Sequence, residues 1–395
     1  MSTPDIPAGG LILHVPLIVY AVVATALAFD FTNGFHDTAN AMAPSIATGA
    51  FKPRTAVTVS AVLNLVGAFL SVKVAGTISG GIVDESGFHA DTGPYIVFGA
   101  LLGAIVWNLL TWYLGVPSSS SHALFGGLIG ATWVAVGGHV VNFSVVVQKV
   151  LLPAVVSPII AGVAAATGTM IAYRTNEGVK KKHVSRGFRA GQNISASLVS
   201  LAHGTNDAQK TMGVITLTFI VAGIQPAHSS PYLWVVVACG LAIALGTYVG
   251  GWRIIKTLGS GITTLDSPQG FAAETSATAA ILASSHLGYA LSTTQVCSGA
   301  VMGAGLGKSG GEVRWSTASR IAVAWVVTLP ASAVFGACAG KLASTGVLGT
   351  AIVAGIGIVV AAGLFALSRR NPVGAHTVTD APAETRVPAT ADATY

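Results

Sequence analysis

The chain reads as an all-α polytopic membrane protein: two inverted repeats with broken or re-entrant helices, roughly 10–12 transmembrane segments in all. Three observations predict this. Of 395 residues, 52% are hydrophobic and 9% are charged, against roughly 25% charged in an ordinary soluble domain. Runs 92–148, 150–173, 211–252, 275–307, 321–340 and 342–368 contain no Asp, Glu, Lys or Arg, and about 20 apolar residues suffice to cross a bilayer core. A polar signature in the first half, residues 30–50, returns about 170 positions later, and polar signatures in corresponding halves of a hydrophobic chain point to a transporter's central site. No alternation of polar and apolar residues over about ten positions marks a β-barrel, and 48 glycines suit close helix packing and broken helices.

Residues 1–10 form an N-terminal tail without Lys or Arg, so the apolar run 11–29 is expected to be a retained helix entering from outside rather than a signal peptide. The first repeat occupies 11–173. After the signature come spans over 56–75, 95–114, 123–136 and 145–173, with a polar connection at 77–93 and a break at Pro117-Ser118-Ser119-Ser120-Ser121-His122. A basic loop, 174–189, carries Arg174, Lys180, Lys181, Lys182, Arg186 and Arg189 and is expected on the cytoplasmic side under the positive-inside rule.

The second repeat, 190–368, follows the same order: a signature-bearing segment at 192–210 continued by 211–223, spans at 233–251 and 269–288, then the break Leu291-Ser292-Thr293-Thr294-Gln295. Three blocks match between the halves. Asp37 meets Asp207, Lys73 to Ile82 meets Arg253 to Ile262, and Ser119 meets Ser292, at offsets of 170, 180 and 173. An outside N-terminus with an inside basic loop requires an odd number of crossings in the first half, so the halves start from opposite sides. The tail 369–395 is rich in Pro, Ala and Thr and is expected to be disordered.

The formal charge of +6 does not point to nucleic acid, because the basic residues lie mostly between apolar runs. The partners expected from this pattern are a lipid bilayer and a small anion. Cys239, Cys297 and Cys338 lack paired spacing and read as packing residues.

An aspartate at bilayer depth costs at least ~2.5 kcal/mol, so it should face a cavity, a cation or a hydrogen-bonding partner. Asp37 and Asp207 are therefore cation-site candidates, with His36, Asn33, Asn206 and Glu274 as companions. The plainer alternative is a carboxylate capping a broken helix. Ser119, Ser120, Ser121, Ser292, Thr293 and Thr294 lie at expected helix starts, where unpaired amides and a partial positive charge hold an oxyanion without a dedicated arginine. Two such termini facing one another suit a tetrahedral anion such as phosphate; two ordinary N-caps are the alternative. Asn40, Gln209 and Lys210 follow their aspartates closely and are candidates for the anion, with a Lys210–Asp207 salt bridge weighed equally. His36 beside Asp37 can relay protons, because histidine as a residue type changes charge near physiological pH, and His122 is a second candidate of that type, with packing or hydrogen bonding the plainer role for each. No His-x-x-x-His or Glu-x-x-His spacing supports an intramembrane metalloenzyme, so no enzyme activity, cofactor or structural metal is expected.

The paired signatures Gly34-Phe35-His36-Asp37-Thr38-Ala39-Asn40 and Gly204-Thr205-Asn206-Asp207-Ala208-Gln209-Lys210, with the two hydroxyl-rich breaks, resemble the inorganic phosphate transporter (Pit/PiT) family over roughly residues 10–368. The resemblance implies a secondary symporter of inorganic phosphate in the cell membrane. It implies that Asp37 and Asp207 hold or relay the coupling cation, H+ or Na+, while Asn40, Gln209 and the hydroxyl runs surround phosphate. Two departures stand out: His36 replaces the Asn of the widespread Gly-Ala-Asn-Asp form, and Lys210 stands where the second motif often ends in Asn. Both resemble bacterial low-affinity members, described as proton-coupled. Sodium coupling, a sulfate-carrying relative, a passive anion channel, carriage of a metal–phosphate complex and a homodimer all stay open.

Overall fold

The computed structural model describes residues 15–378. The expected tail 1–10 and residues 379–395 of the expected C-terminal tail lie outside these. The described residues are helical, with α1 (Leu17–Ala47), α2 (Pro53–Gly67), α3 (Lys73–Gly80), α4 (Gly93–Leu114), α5 (Ser120–Ala135), α6 (Phe143–Val146) and α7 (Leu152–Thr175) in the first half. The second half holds α8 (Lys181–Val221), α9 (Leu233–Val249), α10 (Trp252–Lys256), α11 (Ser267–His286), α12 (Thr293–Leu306) and α13 (Trp315–Ala343), and α14 (Val347–Ser368) follows as an addition. A π-helical turn, Val147–Leu151, joins α6 to α7, and another, Thr257–Gly261, follows α10.

The two halves match element by element, and each half packs through the other. α1 lies against α9 while α8 lies against α2; α5 lies against α13 while α12 lies against α7. The glycines explain these pairings. A Cβ on Gly34 would sit 2.3 Å from the Ile243 carbonyl of α9, and its counterpart on Gly204 would sit 2.2 Å from the Asn64 carbonyl of α2. Gly126 and Gly130 approach α13 in the same way at Leu329 and Ala333, and Gly299 and Gly303 approach α7 at Pro158 and Gly162. A mid-helix glycine costs roughly 0.5–1 kcal/mol relative to alanine; here it lets helix backbones touch. Even the short links correspond. The Val83 and Val141 backbones bridge in the first half, as do those of Thr263 and Val313 in the second.

Three expectations are corrected. The polar signatures do not break their helices: α1 and α8 run unbroken through Asp37 and Asp207 for 31 and 41 residues. Gly34 and Gly204 serve helix contact, not a kink, so neither aspartate caps a broken helix. The single span expected over 56–75 is instead α2 and α3, separated at 68–72. The basic stretch 174–189 is mostly helix, because α7 ends at Thr175 and α8 begins at Lys181.

Among the described residues, five helices are long and apolar enough to cross a membrane, and a sixth is formed if the bent pair α9 and α10 counts as one span. The chain is a multi-pass membrane protein. The expected ten to twelve segments counted every apolar run. α5 and α12, at 16 and 14 residues, are too short to cross and lie buried inside, and α8 is exposed over its basic start and mostly buried from Val199 onward. Apolar side chains of α7, α13 and α14 face outward, as lipid-facing helices do.

At one end, Asp266 and Gln269 form a capping box at the start of α11. Lys308 Nζ lies 2.7 Å from Asp266 Oδ2, and Tyr173 donates to the same oxygen at 3.1 Å. Burial alone would raise the Asp266 pKa; the Lys308 hydrogen bond and charge outweigh it and hold the carboxyl below its ordinary value.

Candidate functional site

Both aspartates lie mid-helix and are almost fully buried, and their partners come from side chains of other helices and from neighbours on their own. Asp37 Oδ1 accepts from Ser120 Oγ at 3.2 Å and from Thr294 Oγ1 at 3.3 Å. The starts of α5 and α12, one from each half, thus converge on a single carboxylate oxygen. Asp207 Oδ2 accepts from Thr293 Oγ1 at 3.3 Å and from Asn33 Nδ2 at 3.3 Å. The hydroxyl clusters expected to face one another do meet at the acids.

Those hydroxyls divide by role. Ser119 Oγ accepts from the His122 amide at 3.1 Å, and Ser292 Oγ accepts from the Gln295 amide at 3.3 Å, so these two cap their helices. Ser120, Ser121, Thr293 and Thr294 are left for the acids and their companions. Asn40 Nδ2 donates to Thr294 Oγ1 at 3.0 Å. Its counterpart Lys210 reaches Ser121 Oγ at 2.5 Å and Asp207 Oδ1 at 2.6 Å. The pattern is two-fold: α1 touches the start of α12 through residue 40, and α8 touches the start of α5 through residue 210.

His36 Nδ1 lies 2.6 Å from Asp37 Oδ1, and His36 Nε2 lies 3.2 Å from Thr111 Oγ1 of α4. At the matching position Asn206 donates to Ser285 Oγ of α11 at 2.9 Å. His36 is thus tied to the acid pair, whereas Asn206 points to α11.

Two expected site residues are placed elsewhere. Gln209 Oε1 accepts from the amides of Val74 at 2.8 Å and Ala75 at 3.4 Å, satisfying the start of α3, while its amide nitrogen donates to the Thr205 carbonyl. A side chain so engaged does not face the acids. Glu274 Oε2 accepts from Ser195 Oγ at 2.6 Å, with Gln192 at 3.5 Å and Thr48 beyond it, about three turns of α8 away from Asp207.

One central residue was missed. His203 Nε2 lies 3.4 Å from Asp207 Oδ2 and 4.0 Å from Asp37 Oδ2, and its Nδ1 lies 3.1 Å from Asn64 Oδ1. The signals were there: His203 precedes Asp207 by one helical turn, and at the 170-residue offset it matches Asn33. One ligand atom from each of Asp37, His203 and Asp207 lies within 4.8 Å of the others, a spacing that can hold a cation.

The site therefore offers opposed carboxylates, a fixed ammonium, two imidazoles and two hydroxyl-lined helix starts. Charges of both signs and hydroxyl donors thus lie within a few ångströms of one another, and His36 Nε2 also lies 3.4 Å from Ser118 Oγ. The profile of the phosphate transporter family matches residues 33–336. The chain belongs to the phosphate transporter family. It is 59% identical over 321 residues to a probable low-affinity inorganic phosphate transporter of Mycobacterium tuberculosis (strain ATCC 25618 / H37Rv), covering 81% of this chain and 76% of that protein. A relative with the same description from Bacillus subtilis (strain 168) is 42% identical over 323 residues, covering 82% of this chain and 96% of that protein. Among solved structures, a sodium-dependent phosphate transporter shares 25% identity and a TM-score of 0.73, covering 82% of this transporter and 98% of that chain. These relatives are transporters, not enzymes.

Proposed function

We propose that this transporter is a secondary symporter that carries inorganic phosphate with a cation by alternating access. The carrying observation is the convergence on Asp37 of hydroxyls from both halves, in a core closed to solvent. An anion held between Ser120, Ser121, Thr293 and Thr294 sits beside carboxylates that repel it unless a positive charge accompanies it, so each ligand strengthens the other's binding. With Asp37 and Asp207 buried, loading and release require one half to move against the other. The reciprocal pairing of the halves supports an inverted arrangement, and the basic end at Lys180, Lys181 and Lys182 is assigned to the cytoplasmic side of the cell membrane.

The proton is favoured as the coupling ion because Lys210 already places a fixed positive charge 2.6 Å from Asp207, where a sodium ion would compete with it, and because His36 and His203 flank the acids. Sodium is the second reading, supported by the spacing of Asp37, His203 and Asp207 and by the sodium dependence named for the solved relative.

Radiolabelled phosphate uptake into proteoliposomes, with proton and sodium gradients imposed separately, tests the proposal. The expected result is accumulation driven by an inward proton gradient and abolished in Asp37→Asn. Uptake that never exceeds equilibrium under either gradient identifies a passive channel, and stronger competition by sulfate than by phosphate identifies a different anion.

A further inference from the structure

Asp30 is a third buried aspartate in the core, and the residues assigned above leave it unused. It lies in α1 seven residues before Asp37, two turns away on the same helix face. It is 0% exposed, and neither carboxylate oxygen has a hydrogen-bond partner. An ionised carboxylate taken out of water costs several kcal/mol, returned only by a well-placed cation and hydrogen bonds. Among the described residues, the titratable groups acting on Asp30 are Asp207 and Lys210 from α8 and the Cys239 thiol from α9. No titratable group of α2 or α4 is among them.

The nearby donors are committed elsewhere. Lys210 Nζ is held by Asp207 at 2.6 Å and Ser121 at 2.5 Å, and Asn33 Nδ2 donates to Asp207 at 3.3 Å. The Thr211 hydroxyl lies beside Asp30 and, like the carboxylate oxygens, is buried without a partner at hydrogen-bond distance and angle. Two acids therefore share one ammonium, and Lys210 neutralises one at a time.

We propose that Asp30 is the residue that takes up and releases the proton carried with phosphate, an inference that rests on the proton-coupled reading above. In the arrangement described, Lys210 serves Asp207 and Asp30 holds a proton. An O–H bond forms on an Asp30 carboxylate oxygen as one O–H bond of a hydronium ion breaks on the loading side, and the reverse exchange returns the proton to a water molecule on the release side. Protonation removes one negative charge from the surroundings of Lys210 and so favours an anion at the neighbouring hydroxyls. By reciprocity, bound phosphate holds the proton on Asp30.

The test uses the full chain as wild type, Asp30→Asn and Asp30→Glu, reconstituted in proteoliposomes and also assayed for inorganic phosphate binding in detergent. Wild type is expected to accumulate phosphate under an inward proton gradient, with internal acidification reported by a trapped dye. Asp30→Asn should lose both, and Asp30→Glu, which keeps a titrating acid, should retain them with a displaced pH midpoint. Phosphate itself titrates in this range, so the binding comparison is the difference between proteins. Wild-type affinity should fall with rising pH more steeply than that of Asp30→Asn, by about a decade per pH unit for one linked proton. This readout remains decisive if Asp30→Asn binds phosphate but does not transport it. Asp30→Asn that still accumulates phosphate with dye-reported acidification, or keeps the wild-type pH slope of binding, overturns the assignment of Asp30 alone. Wild type driven by sodium and indifferent to the proton gradient overturns the proton-coupled reading beneath it.

Discussion

Replacing Asp207 by asparagine removes the partner of a buried ammonium. Lys210 is 1% exposed; its direct contacts are Asp207 at 2.6 Å and Ser121 at 2.5 Å, and after the change a neutral amide and a hydroxyl face the ammonium. Breaking a buried pair from one side costs about 3–5 kcal/mol where the surviving charge is left without compensation, and Asp30, the second acid acting on Lys210, places this case toward the lower end. At about 1.4 kcal/mol per decade, the folding equilibrium shifts by a factor between about a hundred and a few thousand. Asp207→Asn with Lys210→Met removes both charges, and the double variant should recover to within about 1–2 kcal/mol of wild type. Titration of the four proteins of this cycle with SDS in mixed micelles, followed by helical circular dichroism, measures these differences. Phosphate accumulation should be lost in both single variants and in the double variant, which separates the pair's role in transport from its role in stability. Asp207→Asn within about 1 kcal/mol of wild type, or a double variant no more stable than it, would refute the reasoning that Lys210 depends on this carboxylate.

Gly204→Val should abolish recovery of folded protein from membranes, because its Cβ would sit 2.2 Å from the Asn64 carbonyl, whereas Gly355→Ala, with open space around it, should leave recovery and phosphate uptake unchanged. His36→Asn should change the pH profile of phosphate uptake, since it removes an imidazole 2.6 Å from Asp37; an unchanged profile rules out a relay through His36. The Asp266–Lys308 pair should make stability weakly pH-dependent in acid. The folded-state pKa of Asp266 is depressed, so its contribution is present above the ordinary carboxylate value of about 3.9 and is lost as pH falls through the depressed value. The pair is a quarter to a third exposed, and its worth is under about 1 kcal/mol. Lys308→Met should flatten that acid limb in thermal-stability measurements, and an equally steep limb would show that other acids set it.

Hydropathy and the internal repeat made most of the architecture legible, because charge-free runs and paired glycines are direct records of burial and close helix contact. The same reasoning failed where polarity was read as a break. The sequence around Asp37 looks like an interruption, yet α1 passes through it, because Ser120, Thr294 and His36 supply the carboxylate's partners from the side. Ser120, Ser121, Thr293 and Thr294 were legible as helix starts near the acids. Gln209 was misleading, because sequence spacing does not tell which neighbour a side chain satisfies, and here it completes the start of α3. His203 and Asp30 were hidden for different reasons. His203 directly precedes the matched motif, one turn before its aspartate, and Asp30 opens the first polar signature at the end of an apolar run, where nothing local tells that its tertiary neighbourhood lacks donors.

The exchange of partners between the halves carries a consequence for biogenesis. As the polypeptide emerges from the ribosome, the face of α1 around Gly34 has no resting place until α9 is made, and the groove of α5 at Gly126 and Gly130 waits for α13. The amino-terminal half therefore completes these contacts only once α9 and α13 have been synthesised. A single ancestral unit with these faces would have needed a second copy of itself to close.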